Sequence, residues 1–86
     1  PDLIVEILSP GNSRREMKDK FELYEEAGVL EYWVVDPERK VVFVYHLDED
    51  SNKYVAQLPT LTDEDILESR TFEGLKIELK DIFPKD

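Results

Sequence analysis

The chain opens with a run of hydrophobic positions that has the length of a β-strand. Five of the six residues from Leu3 to Leu8 are aliphatic, prolines flank the run, and Glu6 is the exception in its middle. Such a run is typical of a strand that is buried on both faces, as in the centre of a parallel or mixed sheet. Because side chains alternate across a strand, one face is predicted to carry Asp2, Ile4, Glu6 and Leu8, and the other Leu3, Val5 and Ile7.

Glu6 is the charge that this strand has to accommodate. A carboxylate inside a hydrophobic layer loses its water, and only a cation, a metal ion or a hydrogen-bond network replaces that interaction. Three placements are compatible with the sequence: the margin of the sheet, a pairing with a structural arginine, and a functional site. The question for the rest of the chain is which group faces Glu6.

A helical pattern follows the turn at residues 9–11. Ser13 and Glu16 have the spacing of a capping box and Gly28 is a natural stop, so the sequence predicts a helix from residue 14 to residue 27. At about 100° per residue, its apolar face comprises Met17, Phe21, Leu23, Tyr24 and Ala27, whereas the residues expected to project away are Lys18, Asp19, Glu22, Glu25 and Glu26.

Lys20 falls near the centre of that apolar face. A lysine can lay its aliphatic stem along an apolar surface and keep its amine in water. The strand before the helix, however, presents a carboxylate in its apolar run, and a helix that packs back on the sheet would bring the two charges together. We therefore predict that Glu6 and Lys20 are neighbours.

The remaining pattern predicts a mixed sheet. Aromatic and β-branched residues at 31–36 indicate a strand that completes a βαβ unit with two parallel strands and a right-handed crossover. Strands at 40–47 and 53–58 continue the sheet as hairpin partners, and the acidic turn between them lacks the spacing and the glycine of a calcium loop. A further strand is expected at 75–79 and a helical turn at 80–83.

The sequence contains a single histidine, His46, near the end of the third predicted strand. No second histidine or cysteine stands at metal-ligand spacing from it. We therefore predict that His46 is a surface residue rather than a metal ligand.

Composition and charge narrow the range of functions. The 86 residues suffice for a single domain, and because the first residue is proline rather than methionine we expect the C-terminal part of a longer domain. The absence of cysteine excludes disulfides and thiolate metal sites and fits a reducing cytoplasm, and no apolar run approaches the ~20 residues of a membrane span.

The net charge of −10 is opposite in sign to that of a typical nucleic-acid-binding domain. It counts against DNA binding unless a basic patch, bound metal ions or a missing basic part override it.

Few motifs with a known chemistry are present. Phosphate-binding loops, dinucleotide fingerprints, Ser/His/Asp or Cys/His sets and zinc spacings are all missing from the sequence. What remains is an acidic residue on a hydrophobic strand with a lysine nearby. Carboxylates hold Mg²⁺ through oxygen, the metal polarises a phosphodiester and activates water, and a lysine orients that water or stabilises charge on the phosphate.

The order of these residues resembles the Uma-type family of restriction endonucleases, which belongs to the PD-(D/E)XK nuclease superfamily. The resemblance rests on the segments at 2–10, 27–29 and 31–37, on Lys20 four residues before Tyr24, and on the late pattern of Gly74, Leu75 and Leu79. It implies a mixed α/β fold with a restriction-endonuclease-like core, in which a βαβ unit is followed by antiparallel β-hairpin strands. It also implies Mg²⁺-dependent cleavage of DNA, and a homodimer.

Carried over by position, Glu6 matches the superfamily's central-strand acid, whose carboxylate binds metal. Leu8 stands where the standard motif has a lysine, and Lys20 matches the helix lysine of families in which that residue has migrated. The resemblance also makes the backbone carbonyl of Ile7 a metal ligand. Asp2 is a lesser candidate, because the strand rise places it roughly 13 Å from Glu6. The first metal-binding acid of the superfamily is expected on a preceding strand outside this sequence.

Two alternatives to an endonuclease stay open on the sequence alone. The same fold can serve as a non-catalytic interaction module, in which Glu6 and Lys20 form a structural ion pair and the acidic surface meets a protein partner. It can also be a truncated, inactive remnant of a nuclease. Under each of these readings we expect the isolated segment of residues 1–86 to lack activity.

Overall fold

The computed structural model describes residues 1–83 and is built around a five-stranded mixed sheet. In chain order the elements are β1 (Leu3–Ile7), α1 (Arg14–Glu26), β2 (Glu31–Asp36), β3 (Val41–Asp48), β4 (Lys53–Ala56), β5 (Leu61–Thr62), β6 (Ile66–Glu68), β7 (Lys76–Glu78) and a 3₁₀ turn (Leu79–Asp81). The main sheet has the strand order β1, β2, β3, β4, with β5 also pairing with β3, and β6 and β7 form a separate two-stranded sheet.

The first two strands and the helix between them form the predicted βαβ unit. β1 and β2 are parallel, with Glu6 opposite Val34, whereas β3 pairs antiparallel with both β2 and β4. The expected mixed α/β architecture, a βαβ unit followed by antiparallel strands, is therefore confirmed. The last helical turn begins one residue earlier than predicted, at Leu79.

Alternation along the strands gives the main sheet two different faces. The face toward α1 carries an aromatic cluster whose contacting ring centroids lie 5.0–6.4 Å apart, formed by Phe21, Tyr24, Tyr32, Tyr45 and Tyr54. The opposite face builds the hydrophobic core with the C-terminal segments, and its buried members are Trp33, Val35, Val42, Val44, Leu67, Leu79 and Phe83. The aromatic cluster thus holds α1 on one side of the main sheet, and the hydrophobic core holds the second sheet on the other side.

The ends of α1 follow from its capping residues. The Ser13 hydroxyl accepts a 3.1 Å hydrogen bond from the backbone N–H of Glu16, which satisfies one of the free donors of the first turn. Gly28 has φ of +78°, a conformation that side-chain-bearing residues rarely adopt. The predicted helix is confirmed, with Ala27 as its C-cap rather than its last turn.

The buried face of α1 differs from the predicted one near its C-terminal end. Leu23 is 59% exposed, and Ala27 is exposed as well. Glu25, predicted to project away, instead accepts a 2.7 Å hydrogen bond from the backbone N–H of Tyr54 and lies 3.6 Å from the Lys53 ammonium. Because β4 lies beside the helix end and offers these two donors, Glu25 rather than Leu23 turns toward the sheet.

β1 is an edge strand in the described part of the chain, whereas the hydrophobic run predicted a central strand buried on both faces. Within residues 1–83 it pairs only with β2, and Val5 and Ile7 are 45% and 66% exposed. The reason is the position of the second layer, by which we mean β6, β7 and the 3₁₀ turn. This layer covers β2 and β3 but packs against β1 only at Leu3.

His46 is buried, so the prediction of a surface histidine is wrong. It is 7% exposed, because it follows Val42 and Val44 on the inward face of β3 and stands opposite Glu31. Burial lowers the pKa of His46, the Arg70 cation lowers it further, and Glu31 opposes both effects. Its Nε2 atom has no hydrogen-bond partner, which is consistent with a neutral ring that packs as part of the core.

Candidate active site

Glu6 and Lys20 meet as the sequence predicts. The Lys20 Nζ atom lies 3.2 Å from Oε2 of Glu6, and the Tyr24 hydroxyl donates a 2.8 Å hydrogen bond to Oε1 of the same carboxylate. The Glu6 side chain is 24% exposed and the Lys20 side chain 44% exposed. Both carboxylate oxygens therefore have a donor from α1, while the group stays accessible to solvent.

Helical spacing explains why two donors converge on one carboxylate. Lys20 and Tyr24 are four residues apart, so they lie one above the other on the same face of α1. The ring of Tyr24 packs edge-on against Tyr32 with centroids 5.2 Å apart, which fixes the direction of its hydroxyl. The hydrogen bond to Glu6, followed by burial, raises the pKa of Tyr24, so the phenol stays a proton donor at neutral pH.

A cleft of about 120 Å³ opens beside this group. The polar side chains among its lining residues are those of Glu6, Ser9, Asn12, Glu16, Lys20 and Tyr32. The Asn12 side chain accepts a 2.6 Å hydrogen bond from the Ser9 N–H and donates to Glu16 at 3.3 Å. These bonds hold the loop after β1 against the start of α1, so the cleft is bounded by a defined turn.

Ile7 also lines the cleft. On either side of it, the Asp2 carbonyl accepts from the N–H of Glu31 at 3.0 Å and the Leu8 N–H donates to the carbonyl of Val35 at 2.9 Å. Since pairing in a parallel ladder alternates along the strand, the even-numbered residues face β2 and the carbonyl of Ile7 points to the outer edge of β1. That carbonyl is therefore not used by the pairing of β1 with β2.

Asp2 does not join the site. It is exposed at the start of β1, its described contact is the backbone bond to Glu31, and it is not among the residues that line the cleft at Glu6. Leu8, which stands at the motif position of the superfamily lysine, lines the cleft with an aliphatic side chain. The amine at this site thus comes from the helix.

The donor set can be compared with what Mg²⁺ requires. Among residues 1–83 no group of three or more His, Cys, Asp or Glu residues could hold a metal ion. The cleft offers the Glu6 carboxylate, and Ile7 is among its lining residues. Mg²⁺ in phosphate-processing sites is often held by one or two carboxylates, with water and phosphate as the other ligands. A carboxylate has about four acceptor positions, of which Lys20 and Tyr24 use two, so these residues fit that mode of binding.

A second carboxylate, Glu31, escaped prediction as a buried acid. It is fully buried and accepts hydrogen bonds from the Trp33 indole at 2.6 Å, the Ser69 hydroxyl at 2.9 Å and the Thr71 N–H at 2.9 Å. Burial alone would raise the pKa of Glu31, but these hydrogen bonds hold it below the ordinary value of 4.5. The signal that was available is the one that singled out Glu6, an acid within a hydrophobic strand. For Tyr24, the available signal was its spacing from Lys20.

The structure and the sequence were compared with known proteins. No curated protein matches the chain. A solved structure described as that of "a putative nuclease belonging to DUF820" from Anabaena variabilis matches with a TM-score of 0.72 and 25% sequence identity, over 96% of this chain and 44% of that chain. The present chain thus spans less than half the length of that nuclease. Within residues 1–83 no helix is long and apolar enough to cross a membrane.

A family model gives the assignment. The model of the Uma2 family, described as "Putative restriction endonuclease", matches residues 1–80. This range includes β1, α1 and β2, which together build the cleft at Glu6. The chain therefore belongs to the Uma2 family.

Proposed function

We propose that this chain carries part of the active site of a Mg²⁺-dependent endonuclease that hydrolyses DNA phosphodiesters. The observation that supports it most strongly is the partly exposed Glu6 carboxylate in a cleft, with the Lys20 amine at 3.2 Å. The cleft lies toward the carboxyl end of two parallel strands, where ligands bind in open α/β sheets. Membership of a family described as restriction endonucleases makes DNA the substrate of choice.

Each residue of the site has a distinct role in this proposal. Glu6 and the carbonyl of Ile7 would hold Mg²⁺, with water and phosphate oxygens as its other ligands. The bound ion supplies Lewis acidity toward the phosphate and activates water for attack. Lys20, whose side chain is 44% exposed, orients the attacking water or stabilises negative charge that develops on the phosphate. Tyr24 holds the carboxylate of Glu6 in one orientation.

A non-catalytic interaction module is the second candidate, and two observations favour it. Both oxygens of Glu6 already have donors, so the pair is satisfied as a structural contact, and the net charge of −10 suits a cationic or protein partner. An inactive remnant would have the same features. As an endonuclease, the protein is proposed to be a homodimer. It is also proposed to act in the cytoplasm, which is in keeping with its lack of cysteine.

The test is cleavage of supercoiled plasmid by the intact protein, in Mg²⁺ and in EDTA. Lys20→Ala is expected to lower the Mg²⁺-dependent rate by at least about 10²-fold, because it removes charge stabilisation at the phosphate. Lys18→Ala is the matched control, since that side chain is 75% exposed and its ion-pair contact is a 4.0 Å approach to Glu22. We expect wild-type cleavage from this control.

Two results would count against the proposal. Cleavage at the wild-type rate by Lys20→Ala would remove the lysine from the mechanism. Absence of cleavage by pure wild-type protein, across supercoiled, linear and single-stranded DNA, would favour the interaction module.

A further inference from the structure

We infer that a larger cleft beside the Glu6 cleft receives the sugar-phosphate backbone of the DNA that flanks the scissile phosphate. This inference rests on the proposed function and names where its substrate lies. The larger cleft has a volume of about 520 Å³. It lies where β1 and β2 end, because its lining includes Leu8 after β1 and Asp36 at the last position of β2.

The two clefts adjoin each other. Four residues line both of them, namely Leu8, Ser9, Asn12 and Met17. Ligand pockets usually have volumes of roughly 300–1,000 Å³, a range that includes the larger cleft and excludes the 120 Å³ space at Glu6. A polynucleotide can therefore place a phosphate beside Glu6, while the adjoining nucleotide needs the neighbouring space.

Arg39 gives the larger cleft a cation that is available for phosphate. Its side chain is 79% exposed, and its Nε lies 3.9 Å from Oδ2 of Asp36, a long contact. Asp36 is occupied in another way, since its Oδ1 accepts the backbone N–H groups of Glu38 and Arg39 at 3.1 and 3.2 Å. Because this ion-pair contact is long and the Arg39 side chain is 79% exposed, the guanidinium can reach a phosphate and make the paired hydrogen bonds that arginine forms with it.

The start of α1, which follows the loop at the two clefts, is also positively charged. Residues 9–15 contain Arg14 and Arg15 and no acidic residue, in a chain whose net charge is −10. Both arginines are exposed at the first positions of α1, next to Asn12, which lines both clefts. These two arginines place positive charge near the clefts in a chain that is acidic overall. Asp36 and Glu38, also in the lining of the larger cleft, are the acids that oppose binding there.

The test measures DNA binding separately from cleavage. A fluorescein-labelled DNA duplex is titrated with the intact protein in EDTA, by fluorescence anisotropy at several salt concentrations. Each phosphate contact contributes about 0.9 to the slope of log K against log salt. Arg39→Ala is expected to lower that slope by about 1 and to weaken binding. The double variant Arg14→Ala with Arg15→Ala is expected to lower the slope further. Glu38→Gln is expected to strengthen binding.

Lys76→Ala is the matched control, because it removes the same charge from β7 in the separate sheet. The inference is overturned if Arg39→Ala and Lys76→Ala have the same affinity and slope, or if the wild-type protein binds no duplex. A duplex that binds through Arg39 but is never cleaved supports the inference while contradicting the proposed function. Cleavage that depends on Glu6 without any effect of Arg39 on binding contradicts the inference alone.

Discussion

Two carboxylates on neighbouring strands of one sheet have opposite environments. Glu6 faces α1, with a 24% exposed side chain, and its partners are a cation and a phenol. Glu31 faces the second layer, is fully buried, and is held by an indole, a hydroxyl and a backbone N–H, all of them neutral. Each is an acid within a hydrophobic strand, so sequence pattern alone does not separate them.

The difference lies in what can still reach the carboxylate. The three donors of Glu31 come from segments packed around it, and there is no solvent-exposed surface through which a ligand could bind. Glu6 borders an open cleft, and Lys20 is exposed enough to move toward a ligand. We therefore propose that Glu31 serves the stability of the fold and Glu6 the chemistry of the site.

The largest effect is expected from Glu31→Ala. Removing a buried charged partner leaves the donors of Trp33, Ser69 and Thr71 unsatisfied, which we expect to lower the free energy of unfolding by about 3–5 kcal/mol. This change in the free energy of unfolding is measured by urea denaturation, with tryptophan fluorescence as the signal. Glu22→Ala is the surface control, with an expected change within about 0.5 kcal/mol, and equal effects of the two substitutions would break the contrast between Glu6 and Glu31.

Acid is expected to lower the stability of the fold through His46 and Glu31, which face the second layer. The pKa of His46 is lowered in the folded protein, so the unfolded chain binds more protons and stability falls as the pH drops below the ordinary value of 6.5. Glu31 has a lowered pKa too, so a further loss begins as the pH falls below 4.5. Urea midpoints measured from pH 8 down to about pH 2 cover both losses. His46→Leu should remove the first one, and an unchanged profile in that variant would reject this explanation.

A pair of tyrosines distinguishes positioning from packing. The hydroxyls of Tyr24 and Tyr54 each donate a 2.8 Å hydrogen bond, to Glu6 and to the carbonyl of Val29 respectively, and both rings belong to the aromatic cluster. Either Tyr→Phe substitution is expected to cost about 1 kcal/mol of stability. Only Tyr24→Phe should also lower Mg²⁺-dependent cleavage, by about 10-fold as for other residues that orient a metal ligand. Equal cleavage by the two variants would show that Tyr24 does not position Glu6.

Local signals predicted α1, the strands β1 to β4 and β7, but not the short strands β5 and β6. Ser13, Gly28 and the hydrophobic runs determine where α1 and the strands begin and end, and these features act over a few residues. The meeting of Glu6 and Lys20 could also be predicted, because a βαβ connection returns the helix to the strand it follows. Topology and charge balance were sufficient for that part of the site.

The rest depended on contacts between distant segments. Burial of His46 and the satisfaction of Glu31 require residues 69–71 to pack over β2 and β3, a separation of more than 20 residues that no periodicity reveals. The inward turn of Glu25 depends on a backbone N–H of β4. The exposure of Val5 and Ile7 depends on how far the second layer extends, which the pattern of β1 does not contain.

The most direct test of the contrast is Glu6→Gln in the intact protein, with plasmid cleavage and the free energy of unfolding measured on the same preparation. We predict that Mg²⁺-dependent cleavage falls by at least about 10²-fold, while the free energy of unfolding changes by less than ~1 kcal/mol. Cleavage at the wild-type rate, or a loss of stability as large as that of Glu31→Ala, would contradict the assignment of Glu6 to the chemistry of this site.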